Sequence, residues 1–240
     1  MLPFAPTYTS QSAIVGSGSR FSPSDLSLLA WYDPSDLSTL WQDTAGTTPV
    51  TTDGQSVLRM DDKSGNGFHA TQATGSKAPL YKTSGGLHWL EFDGVDDALG
   101  HTINATCASM MAVRRTGAGD AYDGLLLITA GHRVYLRLST DKWGTFSGSD
   151  QPADTTLATN TNYVLTSEAK TALDYYINGV ADGSFAGMDA PAANAIGAVN
   201  SGGTAASPCR IYGIICSTTD FGADRAAAET WLGTKAGLSI

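Results

Sequence analysis

The sequence predicts an all-β protein whose strands form an antiparallel sandwich, with an extended arm before it and one helix at its end. Three observations support this class. Charged residues make up only 15% of the 240 residues, and 27 glycines favour short strands joined by many turns. Apolar and polar residues alternate with period two in several segments, which is typical of half-buried antiparallel strands. A helical pattern is convincing only near the C-terminal end.

Residues 1–21 form the predicted arm. The first twenty residues are rich in Pro, Ser, Thr and Gly, so they cannot bury enough surface to fold alone. Pro3 and Pro6 favour an extended path, which suits a segment that lies along a neighbour or adds a strand to its sheet. We expect an assembly arm that orders only against other chains; the alternative is a flexible leader. Its apolar side chains are irregularly spaced and comprise Leu2, Phe4, Tyr8, Ile14 and Val15.

Residues 22–240 are predicted to form one domain of strands. Ser22 as N-cap and Pro23 at the first helical position indicate a short helical turn at its start. Asn178 and Gly179, placed between two β-prone runs, are the strongest local signal of a two-residue hairpin turn. Strands are predicted at residues 29–32, 57–60, 87–92, 132–139, 162–170 and 210–217.

The C-terminal helix is predicted over residues 222–237. The segment is rich in alanine, has a carboxylate in its first turn and Lys235 in its last, and Gly237 fits a C-cap. Ala227, Ala228, Trp231 and Leu232 form one apolar stripe, so we expect this helix to pack on the sandwich.

Composition and charge exclude several classes of function. The net charge is −9 and no run of Lys or Arg occurs, which argues against direct binding of nucleic acid. No apolar stretch approaches the roughly 20 residues that cross a bilayer, and the N-terminus lacks the basic start of a signal peptide. We therefore expect synthesis in the cytoplasm and no membrane insertion. Three cysteines (Cys107, Cys209 and Cys216) give neither a disulfide framework nor a metal-site spacing, so they are predicted to be small buried side chains.

The stretch "RMDDKSGNGFHATQ" (residues 59–72) has the composition of either a calcium loop or a tight turn. Calcium needs six to eight oxygen ligands, but Asp61 and Asp62 are adjacent, Lys63 adds a positive charge, and no glutamate closes the loop. Residues 64–67 supply the Ser, Gly and Asn that tight turns use. We predict a turn and no metal site; an ion shared between Asp62, Asn66 and a distant loop is the alternative.

Four segments carry a more specific pattern. They are "LLAWYDPSDLSTLWQDTAGTTPVTTDGQSVLRMDDKSGNGFHATQ" (28–72), "LHWLEFDGVDDAL" (87–99), "LDYYINGV" (173–180) and "RIYGIICSTTDFGADRAAAETWLGTKAGL" (210–238). From about residue 26 to residue 240, the chain resembles the concanavalin A-like (laminin-G-like) jelly-roll domains of tailed-phage and prophage structural proteins. The resemblance implies a jelly-roll sandwich of two antiparallel sheets in a protein of the virion or tail. It implies no particular activity, since the fold hosts lectins, glycosidases and structural modules alike.

On this basis we expect a non-enzymatic structural protein of a phage or prophage particle: a fibre, spike or decoration subunit. The arm would dock it to other virion proteins of the capsid or tail, or to sister subunits, so we expect a homo-oligomer, with a trimer among the options. The alternative is a carbohydrate-binding module that attaches the particle to a host surface glycan. A glycosidase is the third option, and no cofactor is expected.

The glycosidase option depends on Glu91, Asp93 and Asp96. Glycosidases with this sandwich often carry a Glu-x-Asp-x-Glu strand, whose two glutamates act as nucleophile and acid. Here Gly94 follows Glu91-Phe92-Asp93, and the next acids are Asp96 and Asp97. Because a retaining pair needs carboxyl groups about 5–5.5 Å apart, this substitution argues against catalysis. We predict a strand at residues 90–92 that enters a turn, and no catalytic residues.

Glycan binding on such sandwiches uses exposed aromatic rings with Asp, Asn and backbone groups. Trp143 stands in the polar segment "STDKWGTFSGSD", so it is the first candidate for an exposed ring, with Asp141 beside it. Tyr176 is the second. A loop tryptophan serves equally well to pack against a neighbouring subunit. Trp31, Trp89 and Trp231 fall on apolar faces and are predicted to lie in the core.

Overall fold

Two antiparallel sheets face each other in a sandwich, and an α-helix packs on the outer side of one of them. The computed structural model describes residues 21–119, 121–129, 132–137, 140–146, 149–168, 173–185 and 194–240. The predicted all-β sandwich with a C-terminal helix is confirmed. The five apolar residues predicted for the arm lie outside the described residues: Leu2, Phe4, Tyr8, Ile14 and Val15.

The strands are short and follow one another through turns. In chain order they are β1 (Leu28–Tyr32), β2 (Leu40–Trp41), β3 (Arg59–Met60), β4 (Ala70–Thr71), β5 (Leu80–Ser84), β6 (Leu87–Asp93), β7 (Leu99–Gly100), β8 (Ala108–Arg115), β9 (Asp123–Ile128), β10 (His132–Arg137), β11 (Lys142–Phe146), β12 (Asp150–Thr156), β13 (Asn162–Glu168), β14 (Leu173–Ile177), β15 (Val180–Phe185), β16 (Ala195–Ile196) and β17 (Pro208–Ser217). The α-helix is α1 (Arg225–Lys235), and short 3-10 helices lie at Pro23–Asp25, Leu37–Thr39, Gly75–Lys77 and Gly222–Asp224.

The sheet that carries the helix, called sheet I, has the order β15-β14-β13-β8-β17-β6-β5. β1 also pairs with β17, and its Tyr32 is opposite Ile214. β6 pairs with an earlier part of β17, where Leu90 is opposite Ile211. The opposite sheet, sheet II, has the order β12-β11-β10-β9-β16-β7-β4-β3-β2. The strand pairings within both sheets are antiparallel.

Period-two alternation divides the side chains of sheet I between two apolar layers. In β6, Leu90 and Phe92 lie in the core between the sheets, whereas Trp89 lies under the helix. In β8, Met111 points into the core and Met110 toward the helix. Because successive side chains of a strand point to opposite faces, a sheet covered on both sides needs apolar residues at nearly every position. This is why β8 and β17 read as almost continuous apolar runs.

The helix is shorter than predicted but ends where expected. Residues 222–224 form a 3-10 turn, and α1 begins at Arg225. Its buried stripe consists of Ala228, Glu229, Leu232 and Gly233, while Ala227 is exposed, so the predicted stripe is displaced by one residue along the helix. After Lys235 the chain turns at Gly237 with φ +70°, and the Leu238 amide donates to the Gly233 carbonyl at 2.8 Å, which satisfies a terminal carbonyl.

The local turn predictions are confirmed. Ser22 and Asp25 form a reciprocal capping box around Pro23–Asp25. Asn178 (φ 49°) and Gly179 (φ 82°) join β14 to β15 in a two-residue hairpin turn. The strand predicted at 57–60 is reduced to Arg59–Met60, because the Val57 amide donates to the Pro79 carbonyl outside either sheet. Positions 138–139 and 169–170 of two other predicted strands lie outside the described residues.

Candidate functional site

A groove of about 600 Å³ runs between α1 and the turn that joins β5 to β6. Its helical wall is formed by side chains at spacings of three and four residues, which places them on one face of α1. This face is separate from the buried stripe that packs on sheet I. It consists of Ala227, Thr230, Trp231, Thr234 and Lys235.

The other wall of the groove comes from the β5–β6 turn and from two segments near β1. Gly85 and Gly86 have φ values of +60° and +80°, which glycine adopts without strain, and the tight turn brings Leu87 and His88 to the groove. The remaining lining residues are Phe21, the first residue described, and Ser35.

A compact group of charges lies next to the groove residues Lys235 and Ser35. Asp33 is only 3% exposed, and its carboxylate lies 3.0 Å from the Lys235 ammonium and 3.6 Å from that of Lys63. Lys63 also donates to Asp36 at 2.6 Å, which lowers the pKa of that carboxyl. A buried carboxylate is tolerated when charged partners compensate its desolvation, so this group joins the helix to the segment after β1.

Two tryptophans lie beside these charges. The Trp31 and Trp231 rings meet edge to face at 5.8 Å. The Lys63 ammonium lies 4.4 Å from the centre of the Trp31 ring, and that of Lys235 lies 4.5 Å from the centre of the Trp231 ring. Both rings are half-buried, so the prediction that they are core residues holds only in part, whereas Trp89 is buried as predicted.

The carboxylates of the glycosidase-like strand make structural contacts. Glu91 accepts a hydrogen bond from Trp89 Nε1 at 2.7 Å and lies 3.2 Å from Arg210 Nε. Asp93 ends β6, and its Oδ1 accepts the Val95 amide at 2.7 Å, so it caps the turn that was predicted to follow residues 90–92.

Asp97 closes the same turn from its other end. Its Oδ2 accepts the Asp93 amide at 3.0 Å, and burial raises the pKa of the Asp97 carboxyl to about 6. Side-chain oxygens of Asp93, Asp96 and Asp97 lie within 4.8 Å of one another. The hydrogen bonds within this turn account for the cluster, and Lys77 Nζ lies 3.8 Å from Asp96.

Within the stretch 59–72, residues 61–69 form the predicted turn, which joins β3 to β4. Asp62 accepts the backbone amides of Trp31, Ser64 and Phe68 at 2.9–3.1 Å, as well as the Ser64 hydroxyl at 2.7 Å. Asn66 donates to the carbonyl of Leu29 at 3.0 Å. The Asp62 carboxylate is thus used to hold the turn against β1.

Its neighbour Asp61 is equally engaged. It accepts hydrogen bonds from Trp41 Nε1 at 2.7 Å and Arg59 Nε at 2.6 Å, and His69 Nδ1 lies 2.9 Å away. The two adjacent carboxylates therefore point to different partners, since successive side chains of an extended backbone diverge.

The prediction of an exposed ring at Trp143 is wrong. Trp143 lies in β11, is fully buried, donates from Nε1 to Asp182 at 2.8 Å, and packs 4.8 Å from the Tyr175 ring. Because β11 pairs with β10 on one side and β12 on the other, its alternate side chains face the sandwich core despite their polar sequence neighbours.

The other two predicted glycan-binding residues lie apart from Trp143. Asp141 is a left-handed residue (φ 59°) whose carboxylate lies 3.1 Å from Arg115 Nη2. Tyr176 is half-buried on the outer side of sheet I, and the Arg225 guanidinium lies 3.6 Å from the centre of its ring. The structure therefore does not assemble the three residues into one site.

Sequence reasoning missed an aromatic patch on sheet II. The ring of Tyr122, 38% exposed, meets the rings of Tyr135 and Phe146 at 6.0 Å in both cases. The nearby Asp150 carboxylate raises the pKa of the Tyr122 hydroxyl. The three rings come from the segment before β9 and from two neighbouring strands, so only the sheet order reveals them. The sequence does contain a signal for the groove. Positions 227, 230, 231, 234 and 235 are spaced by three and four residues, so they share one face of the C-terminal helix.

The three cysteines are buried and free, as predicted. Burial raises the pKa of the Cys209 thiol well above its usual value, which keeps it protonated and unreactive. Among the described residues, no helix has the length and apolar character that crossing a membrane requires.

Comparisons with known proteins identify a fold. No protein-family model matches the sequence, and no curated protein matches it. The chain is similar to Trypanosoma rangeli sialidase in complex with sialic acid, with a TM-score of 0.56 and 13% identity over 89% of this chain. It is similar to a mutant of that sialidase displaying trans-sialidase activity, with a TM-score of 0.57 and 12% identity over 89% of this chain. The botulinum neurotoxin type G receptor-binding domain also matches, with a TM-score of 0.46 and 13% identity, over 74% of this chain and 48% of that one.

The chain spans 34% of the length of each of these sialidase chains. At such low identity the likeness is one of fold, and a sandwich of this kind does not by itself specify an activity.

Proposed function

We propose that this chain is a non-enzymatic structural component of a tailed-phage or prophage particle, as a fibre, spike or decoration subunit. The sandwich projects from the particle, and the N-terminal arm docks it to other virion proteins or to sister subunits. Its place of action is the virion, after synthesis in the host cytoplasm. The four sequence segments that resemble phage structural proteins support the assignment to a particle.

The observation that carries the non-enzymatic part of the proposal is the engagement of Glu91. Its carboxylate is held by Trp89 and Arg210, and the Arg210 guanidinium also lies 4.6 Å from the centre of the Trp89 ring. Asp93 is turned to cap backbone amides. A retaining glycosidase needs two carboxyl groups that face one bond. Here one belongs to an ion pair and the other to a turn, which favours a structural role for this strand.

Two measurements test the proposal. Gold-labelled antibody against the chain should decorate intact particles in electron microscopy, and purified chain should release no sugar from β-glucans or bacterial surface polysaccharides. Particles that carry no label would contradict the structural role. Hydrolysis that disappears in Glu91→Gln would contradict the non-enzymatic role.

A second candidate function, attachment to a host surface glycan, is favoured by the aromatic patch of Tyr122, Tyr135 and Phe146. An exposed tyrosine ring offers an apolar face together with a hydroxyl, which suits a sugar ring. A glycan array probed with the full chain, with and without chelator, tests this function. Binding that is lost in Tyr122→Ala and retained in Tyr176→Ala would place the glycan on this patch.

A further inference from the structure

We propose that Arg114 and Arg210, called the arginine pair, bind an oxyanion on the outer side of sheet I. The oxyanion is the carboxylate, phosphate or sulfate group of a ligand. This site goes beyond the structural role in a particle, because it assigns a class of ligand to a surface that the role does not use.

The register of sheet I places the two arginines side by side. Arg210 of β17 is directly opposite Arg114 of β8 in the antiparallel pairing of these strands. Opposite residues of such a pair have Cβ atoms about 4.5–5.5 Å apart, and like charges in this position destabilise a sheet. Both side chains point outward, because the residues two positions away, Ala112 and Tyr212, belong to the apolar layer under the helix.

Among the described residues, Arg210 has a carboxylate partner and Arg114 has none. Glu91 of β6 is opposite Arg210 on its other side and lies 3.2 Å from Arg210 Nε. The hydrogen bond found for the Arg114 side chain runs from Nη2 to the Oδ1 of Asn160, a neutral amide, at 3.2 Å. Asn162, which is opposite Arg114 in β13, is neutral as well. Two positive charges therefore share one negative charge.

The carboxyl end of α1 does not replace the missing carboxylate. Asn162 Nδ2 donates to the Ala236 carbonyl at 2.7 Å, and the Tyr212 hydroxyl donates to Asn162 Oδ1 at 3.3 Å. The hydrogen bond found for Arg114 goes to Asn160 and not to a carbonyl of the helix. The stabilisation of a cation by a helix end falls off within the last turn, so it depends on such close contact.

Burial makes the missing partners more costly. The Nε atoms of both arginines are buried, and neither makes a hydrogen bond within the described part of the protein. The Arg210 guanidinium lies 4.6 Å from the centre of the Trp89 ring, which covers it without accepting its N–H groups. A buried donor without an acceptor costs free energy, and a charged one costs more. Positions that break such local rules are expected where a protein binds a ligand.

An oxyanion supplies what this surface lacks. It brings the negative charge that Arg114 is missing, and its oxygens accept hydrogen bonds from the forked Nη groups of a guanidinium. Asn160 is exposed beside Arg114, and its side-chain amide can donate to the same ligand. Because the net charge of −9 repels anions at long range, binding has to depend on these local contacts.

A sulfate titration of full-length variants tests the site. Chloride is replaced stepwise by sulfate at constant ionic strength, and the melting temperature reports binding. Arg114→Gln removes one positive charge from the arginine pair. The matched control Lys82→Gln removes one from β5 on the same side of sheet I, where Lys82 is opposite Trp89 and lies 2.7 Å from Asp53.

The unmodified chain and Lys82→Gln should show a saturable rise in melting temperature with sulfate. Arg114→Gln should need at least ten times more sulfate for the same rise, while its circular dichroism spectrum in chloride matches that of the unmodified chain. If Arg114→Gln does not fold, Arg114→Lys replaces it. Lysine keeps the charge and the alkyl stem but lacks the fork, so this variant should fold and bind sulfate more weakly than the unmodified chain.

A second measurement identifies the source of the oxyanion. Immobilised polygalacturonate, whose sugars carry carboxylates, is compared with neutral dextran. Retention on polygalacturonate that requires Arg114 assigns the site to an acidic polysaccharide, and sulfate binding without such retention assigns it to a free ion; both results support the oxyanion site. Absence of both responses, or equal responses in Arg114→Gln and Lys82→Gln, would overturn the proposal.

Discussion

Trp143 in β11 and Trp231 in α1 show how differently the fold treats two tryptophans. Trp143 stands among polar sequence neighbours yet is fully buried, with a hydrogen bond from its indole to Asp182. Trp231 stands among alanines on an apolar helix face yet is half-buried at the edge of a groove. Local composition therefore predicts the wrong environment for Trp143 and only part of the environment of Trp231.

The difference follows from what surrounds each segment. β11 is paired on both edges, so the pleat alone decides that Trp143 faces the core. α1 packs on sheet I along the stripe that contains Ala228 and Leu232. Trp231 lies beside that stripe, in the groove whose other wall includes the β5–β6 turn. A strand position is fixed by its sheet, whereas the flank of a surface helix is left available for another partner.

The largest expected effect that tests this contrast is that of Trp143→Ala. The substitution removes a ring packed on Tyr175 and leaves Asp182 buried without its indole donor. We expect a loss of about 3–5 kcal/mol in the free energy of unfolding, measured by chemical denaturation. A loss below about 1 kcal/mol would mean that Trp143 is not a core residue.

The second effect concerns buried carboxylates. Asp182 has three donors, from Trp143 and from the amide and hydroxyl of Thr155, whereas the hydrogen bond found for Asp97 is that from the Asp93 amide. Burial raises the pKa of Asp97 to about 6, above the value of about 3.9 for an unfolded aspartate. The folded state therefore binds the proton of the Asp97 carboxyl more tightly than the unfolded state does. The stabilisation that this bound proton contributes is fully present below about pH 4 and is lost as the pH rises through 6.

Asp97→Asn cannot ionise and should lack this loss. We expect the melting temperature of Asp97→Asn to rise steadily relative to that of the unmodified chain as the pH increases from 4 to 7. The matched control is Asp96→Asn in the same turn, whose carboxyl is more exposed. Equal pH profiles for Asp97→Asn and the unmodified chain would show that the Asp97 carboxyl is not desolvated.

Trp231→Ala should have the smallest effect. The ring is half-buried, and its loss removes the contacts with Trp31 and the Lys235 ammonium while the buried stripe of α1 stays intact. We expect about 1–2 kcal/mol in the free energy of unfolding, clearly less than for Trp143→Ala. If the two substitutions cost the same, the distinction between a core ring and a groove ring is wrong.

The sequence was sufficient for features that local chemistry determines. Asn178 and Gly179 specified a hairpin, Ser22 a helix cap, and residues 61–69 a turn, because each depends on a few adjacent residues. Alternation likewise identified the main strands and hence the sandwich.

Features that depend on sheet order were not predictable in the same way. The patch of Tyr122, Tyr135 and Phe146 joins residues from separate segments of sheet II. The burial of Trp143 required knowledge that β11 is an interior strand. The groove required the position of the β5–β6 turn beside α1, although the second helical face from 227 to 235 was visible in the spacing.

Incorporation of a shortened chain into particles tests the proposed function most directly. A chain that lacks residues 1–20 keeps both apolar layers of the sandwich, which are built from residues after this segment. Supplied during particle assembly, it should show the same circular dichroism and melting behaviour as the full chain yet be missing from purified particles, as measured by their protein composition. Incorporation at the level of the full chain would contradict the account.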